Sequence, residues 1–293
     1  MTSILTNTSA MSALQTLRSI NADLSNTQDR VSSGQRVSQA RDNVAYWSIS
    51  TTMNSDNKAL NAASDALGVG AAKVDTAYAA MESAISAVNE IKAKLVTASE
   101  ESTDKSQIQL EIGKLQEQLS AIAQGASFSG ENWMVQSVGS TTNVVDGFIR
   151  DSDGNVKVTT AVFDAGTYAM FSSMSADGEG QGGILGDLMD IELSSTSVQG
   201  DIDGFMTTVE GALSNLTNSA AAIGALQTRI DLQDTYSAKL SDAIESGVSR
   251  LVDADMEEES AKLSAIQTQQ QLAIQSLSIA NSSAQNILSL FQQ

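Results

Sequence analysis

Apolar residues step through this chain at intervals of three and four. Leu14, Leu17, Asn21, Leu24, Gln28 and Val31 are spaced 3, 4, 3, 4, 3, which sets them along one face of a helix predicted from about Ser9 to Ser33. Gly34 is a natural stop, because glycine enters the left-handed conformation that ends helices. A buried asparagine and glutamine weaken such a seam but can fix its register; the same pattern also suits an ordinary amphipathic helix of a globular bundle. At the far end, Leu263, Ile266, Gln270, Ala273, Leu277, Ala280, Ala284, Ile287 and Phe291 continue the alternation through four heptads. Leu272, Ile274, Ile279, Leu288 and Leu290 lie off that seam. One partner helix cannot cover all of this apolar surface, so the terminus must be buried from several directions or remain a weakly helical tail.

Between these ends, Asn43 to about Ser99 is interrupted only by Gly68 and Gly70 and reads as one or two long helices. Ile108, Ile112, Leu115, Leu119 and Ile122 define another helical face that Gly125 closes. The polar stretch Glu100 to Ser106 suits an antiparallel turn capped by Thr103 or Asp104. The period then changes. Ser127–Trp133, Val144–Ile149 and Asn155–Phe163 read as short strands and hairpins, and Gly178–Gly183 as loop. The helical signal returns near Ile202, with Leu213, Leu216, Ala220, Ile223, Gln227, Ile230, Asp234 and Ser237 on a heptad. Asp253 to Glu259 separates this region from the terminal helix, whose positive dipole end the acids suit.

Composition supports long helices. Proline, which costs a helix interior ~3 kcal/mol, is absent from all 293 residues, as are cysteine and histidine. No disulfide, no metal site built on Cys or His, and no histidine acid–base chemistry can therefore form. The net charge of -19 argues against nucleic acid or an anionic bilayer as main partner. No stretch approaches the roughly 18 apolar residues of a spanning helix. Met1–Asn7 lacks the basic start and apolar core of a classical signal peptide, so a surface protein of this kind would need a different export route.

The charge is unevenly placed. From Ser260 to Gln293 the only charged side chain is Lys262, and Met1–Gly34 balances Arg18 and Arg30 against Asp23 and Asp29. From Ser140 to Glu210 there are twelve acidic residues, two basic ones and ten glycines, marking the outward, water-facing part. The fold class expected is mainly α: an elongated antiparallel helical rod or coiled coil, with both termini in a helical core domain and a small β-rich central insertion. A helix of about 30 residues is on the order of 45 Å long, too thin to bury its stripes alone, so the molecule should polymerise.

Candidate chemistry is sparse. Asp151–Asn155 opens like a calcium loop, but Val162 stands where the bidentate Glu would be required and the flanks read as strands, which leaves an acidic turn. Glu257, Glu258 and Glu259 are successive and share no helical face. Trp47 and Trp133 read as packing residues, with Trp47 and Tyr46 anchoring the start of a long helix. Gly178–Gly183 lacks the Gly-Lys-Ser/Thr ending of a phosphate loop. No catalytic residue, cofactor or metal is expected.

Ile4–Asn7, Leu24–Asn43 (LSNTQDRVSSGQRVSQARDN) and Asn281–Phe291 (NSSAQNILSLF) closely resemble bacterial flagellins, particularly the short flagellins of alphaproteobacteria. Ser127–Asn132 looks like the family's turn after its second rod helix. The match covers roughly residues 1–135 and 201–293. The resemblance implies a structural, non-enzymatic subunit of the flagellar filament, secreted and extracellular, used for swimming motility. It implies a discontinuous filament-core domain (1–34 and 256–293), a helical rod domain with linkers (35–139 and 201–255) and an outer region (140–200). Expected partners are other flagellin subunits, the flagellar type III export apparatus, an export chaperone, the filament cap and hook–filament junction proteins, with neither nucleic acid nor membrane insertion. The self-assembly residues expected are Leu14, Leu17, Leu24, Val31, Leu277, Ala284, Ile287 and Phe291. Arg36, Arg41 and Asp42 are expected at core–rod contacts. Members recognised by the vertebrate innate receptor carry Arg-Glu-Leu in the first rod helix and an arginine in the second; here Ile91–Leu95 reads IKAKL and Leu110–Ile122 has no arginine. The resemblance does not extend to that recognition. A hook–filament junction protein and a secreted coiled-coil adhesin are the alternative readings.

Overall fold

The structure is a computed structural model that describes residues 7–290 other than 152, without the side chains of 283–290. Four long helices and a shorter one carry most of it: α1 (Thr8–Ser33), α2 (Val44–Ala98), α3 (Lys105–Gly125), and, beyond a central stretch, α6 (Gln199–Val252) and α7 (Met256–Leu290). The chain divides into two units, residues 1–57 with 242–293 and residues 58–241, so α2 and α6 each contribute to both.

Helix ends fall where local chemistry puts them. Asn7 caps α1 by accepting from the Ala10 N–H at 3.0 Å, and Gly34 ends it at φ 71. Asn43 accepts from Tyr46 N–H at the start of α2, and Asp104 from Ser106 N–H at the start of α3. Asp201 reaches back to the Val198 N–H, as in a capping box. Asp255 accepts from the N–H groups of Glu257 and Glu258, and three glutamates occupy the first turn of α7, where the helix dipole favours them.

In the first unit α1 and α7 pair antiparallel. Asn7 donates to the Ala280 carbonyl, Gln270 to Asn21 at 2.7 Å, and Arg30 to Glu259 at 3.0 Å, each step along one helix matched by a step back along the other. The buried and half-buried row on α7 is Leu263, Ile266, Gln270, Ala273, Leu277 and Ala280, as the heptad predicts. On α1 it is Ala10, Ala13, Leu17, Ile20, Leu24, Thr27 and Val31. Leu17, Leu24 and Val31 are thus in the seam, but Ala13, Ile20 and Thr27 fill its other row, and Leu14 and Gln28 point outward.

In the second unit α2, α3 and α6 pack along their heptad rows. Leu67, Val74, Met81, Val88 and Leu95 of α2 meet Ile112 and Leu119 of α3 and Leu216, Ile223 and Ile230 of α6 in one core. Lys94 pairs with Glu111 at 2.6 Å, Lys92 with Glu210, and Gln227 donates to Asp75 at 2.6 Å. After α3, β1 (Ser127–Phe128) and β2 (Glu131–Asn132) form a tight hairpin turning through Ser129 and Gly130, both at positive φ. β3 (Thr142–Arg150) and β4 (Val156–Phe163) form a longer hairpin bulged at Asp146, whose carboxylate takes Arg229 at 2.6 Å. Its turn is held by the Asp151 carboxylate, which accepts the N–H groups of Asp153 and Asn155, and Val162 is a ladder residue opposite Asn143.

The remaining stretch carries α4 (Ala165–Tyr168), β5 (Ser173–Met174), β6 (Gly180–Gln181) and α5 (Gly186–Met189). It differs from the water-facing segment its glycines and acids suggest. Met170, Phe171, Leu185, Leu188, Ile191 and Leu193 are buried in the core of the unit. One polar row of α3 holds its backbone. Gln109 accepts from Leu193 N–H at 2.7 Å, Gln116 reaches the carbonyls of Leu188, Met189 and Ile191, Ser120 accepts from Gly180 N–H, and Gln124 donates to the Gly178 carbonyl. Its acids are exposed, while Gly166 and Gly180 are buried with the apolar residues, which pack inward to leave water as the α3 amides satisfy the backbone buried with them.

Candidate assembly surface

The two linkers of the first unit are paired with one another. Arg36 N–H donates to the Val252 carbonyl at 2.7 Å, Val37 N–H to the same oxygen at 3.2 Å, and Ala254 N–H to the Gly34 carbonyl at 2.9 Å. The Arg36 guanidinium adds a bond to the Leu251 carbonyl at 3.1 Å, and Val37 is buried beneath. This short ladder joins the end of α1 to the start of α7. Arg30 in the last turn of α1 meets Glu259 in the first turn of α7, each charge at the helix end whose dipole favours it. Glu259 is buried, and its second oxygen has no partner.

Asp42 organises the rest of the linker. Its carboxylate accepts from the N–H groups of Ser38 and Gln39, both at 3.1 Å, and from the Ser38 hydroxyl. The Gln39 backbone bond, aided by those of Ser38 and by Arg41 nearby, holds the Asp42 carboxyl below its ordinary value. Arg41 lies 3.9 Å from Asp42 and is mostly exposed. Arg30, Ser33, Ser38, Gln39, Arg41 and Asp42 line a polar hollow of about 430 Å³. A shallower groove of about 850 Å³ runs between α1 and α7 past Ser12, Thr16, Ile20 and Leu272.

Of the residues singled out from sequence, Leu17, Leu24, Val31 and Leu277 meet in the α1–α7 seam, and Arg36, Arg41 and Asp42 in the linker. Leu14 stands outside the seam at 40% exposure. The side chains of Ala284 and Ile287, and the whole of Phe291, lie outside the described residues, as do Ile4–Thr6 and the side chains of Leu288 and Leu290. Leu272 borders the groove beside the seam, and it, Ile274 and Ile279 are all exposed, Ile279 at 69%. The sequence reading missed the row Ala13, Ile20 and Thr27 and the Arg30–Glu259 pair. A row one residue back from a heptad, and opposite charges at two helix ends, are the signals that carried them. Trp133 is buried and stacked on Phe163 with ring centroids 5.5 Å apart. Trp47 and Tyr46 do not serve as packed anchors; both are more than a third exposed, because they precede the level at which α6 covers α2.

Among the described residues no helix is long and apolar enough to cross a membrane. Residues 4–138 match the model of the bacterial flagellin N-terminal helical region, and 206–291 that of the C-terminal helical region. The chain is similar to flagellin C of Rhizobium meliloti, with 47% identity over 321 positions and full coverage of both chains. It is 43% identical to flagellin A of that organism over 394 positions and 44% identical to a flagellin of Brucella melitensis over 298, again with both chains fully covered. The longer alignment requires insertions in flagellin A. The crystal structure of Bacillus cereus flagellin superposes on 58% of this chain and 86% of that one with a TM-score of 0.44 and 12% identity.

Proposed function

Because the chain belongs to the bacterial flagellins, and is a structural subunit of the flagellar filament that assembles with other flagellin subunits, we propose that α1, α7 and the linkers between them and α2 and α6 carry that assembly. Residues 1–34 and 256–293 are the filament core, 35–139 and 201–255 the rod with its linkers, and 140–200 the outer region. The subunit works outside the cell, exported through the flagellar type III apparatus with a chaperone and added beneath the filament cap beyond the hook–filament junction proteins.

The observation that supports this most directly is the apolar surface of α7 that α1 does not cover. Leu272, Ile274 and Ile279 face solvent on a helix whose only charge from Ser260 onward is Lys262. Exposed apolar residues on a nearly uncharged helix suit burial against another subunit. An open-ended polymer needs heterologous contacts, in which one face of a subunit meets a different face of the next. Leu14, Ala284, Ile287 and Phe291 join that contact; Leu17, Leu24, Val31 and Leu277 hold the pair that presents it. Arg36, Arg41 and Asp42 set the linker at the core–rod boundary. Stiffness then comes from helices packed side by side, and the acidic outer face keeps filaments apart in solution.

Leu24→Asp and Ile287→Asp are expected to abolish filaments, because each buries an unpaired charge. Ile279→Asp separates assembly from folding, since that residue is exposed in the single chain: it should leave the helical content unchanged and still prevent filaments. Electron microscopy of sheared surface material and swimming assays read the outcome, and normal filaments and motility in the three variants would overturn the assignment.

A further inference from the structure

The first six residues of α2 are all exposed, among them Val44 at 70%, Tyr46 at 40%, Trp47 at 38% and Ile49 at 49%. The reason lies in the register of two nearly equal helices. Asn57 donates to Glu245 at 3.1 Å, and the Met53 methyl stands 3.1 Å from where a side chain on Gly247 would begin. Antiparallel pairing at that register brings Val252, the last residue of α6, level with Ser50, the first buried residue of α2. Everything before Ser50 overhangs the end of its partner. What the chain offers there is the paired linkers, and they leave the overhang uncovered.

The overhang is also chemically set apart. No charged side chain occurs from Asn43 to Ser55 in a molecule of net charge -19. Copies of so acidic a chain repel one another, so contact between them costs least where charge is missing. Tyrosine and tryptophan are the residues that anchor protein interfaces, giving large contact areas for little lost side-chain freedom. The overhang follows directly on Arg36–Asp42, already assigned to the assembly surface. An acidic or basic ligand would find no complementary charge on it, whereas another flagellin subunit is a partner the chain is known to have.

We propose that Val44, Tyr46, Trp47 and Ile49 form a docking surface for a second copy of this chain, a contact in the filament separate from the one made by α1 and α7. This rests on the filament reading above. The native chain has no cysteine, so Ile49→Cys carries a single thiol. Its reaction with a maleimide should be fast in the monomer and slow by at least about tenfold after seeded assembly of the full chain, as for groups exposed only by local opening. A second measurement uses the native indole. Trp133→Phe keeps a ring on Phe163 and leaves Trp47 as the only tryptophan, whose quenching by acrylamide should fall on assembly. Filaments in which the thiol and the indole stay as accessible as in the monomer would overturn this contact and leave the filament reading standing. If the wild-type chain forms no filaments with seeds present, that reading fails and this one with it.

Discussion

Several side chains in this molecule do one identifiable thing each. Asp104 gives the first turn of α3 an acceptor for the Ser106 N–H at 3.0 Å. Asp104→Ala should cost ~1 kcal/mol, read from the urea midpoint of the full chain. Arg30 is the one observed partner of a carboxylate with an oxygen already orphaned. Arg30→Met should therefore cost more than an ordinary surface change, about 1–3 kcal/mol, while the double variant with Glu259→Met should recover most of it, since an apolar pair leaves no buried charge. Glu131 supplies a pH test. The Lys73 ammonium, donating at 2.8 Å, holds its carboxyl below the ordinary 4.5. A depressed acid adds stability above its unfolded value and loses it as pH falls through the lower folded one. The advantage of wild type over Glu131→Gln should accordingly be flat at neutral pH and shrink below 4.5, as urea midpoints taken across that range would show.

At the scale of elements, close approach decides what a helix can hold. Gly70 sits inside α2, where alanine is ordinarily better by about 1 kcal/mol. Here an added Cβ would fall 2.2 Å from a methyl of Val144 on β3. Overpacking of that kind typically costs ~1–3 kcal/mol and the branched valine has little freedom to turn aside, so steric cost outweighs propensity. Gly70→Ala should lower the melting temperature, and Val144→Ala in the same chain should reverse the sign of the Gly70→Ala effect. The polar row of α3 works the same way in the opposite sense. Gln109, Gln116 and Gln124 look like helix-surface residues, yet their amides satisfy the backbone of the stretch that covers them.

The behaviour of the whole molecule is governed by its charge. With a net charge of -19, like subunits repel at a distance even where their apolar surfaces attract at contact. The screening length falls from about 20 Å near 0.02 M salt to about 7 Å near 0.2 M. Seeded filament growth, followed by light scattering, should therefore be faster at the higher salt. Slower growth would mean that ion pairs between subunits outweigh the general repulsion.

The local signals that were legible in sequence are those a single helix carries by itself. Asn43 through its side-chain cap and Gly34 through its backbone mark boundaries, the absence of proline permits 55 residues of unbroken α2, and the heptad on α7 names its buried and half-buried row from Leu263 to Ala280. The family, and with it the filament, is likewise written in the two ends of the chain. A stripe read on one helix, however, is defined only to within one position, about 100° of rotation, and the partner chooses between neighbouring rows. That is why Ala13, Ile20 and Thr27 pack where Leu14, Asn21 and Gln28 were expected, and why Ala212, Ser219 and Leu226 of α6 are buried more deeply than Leu213, Ala220 and Gln227. Composition misled in the centre for a related reason: the acids describe the outer side of residues 164–193, while the inner side, with the buried Gly166 and Gly180, answers to α3, far away in sequence. Only the tertiary structure determines that Trp47, before the level where α6 covers α2, stays more than a third exposed, while Trp133, stacked on Phe163 in the core, does not.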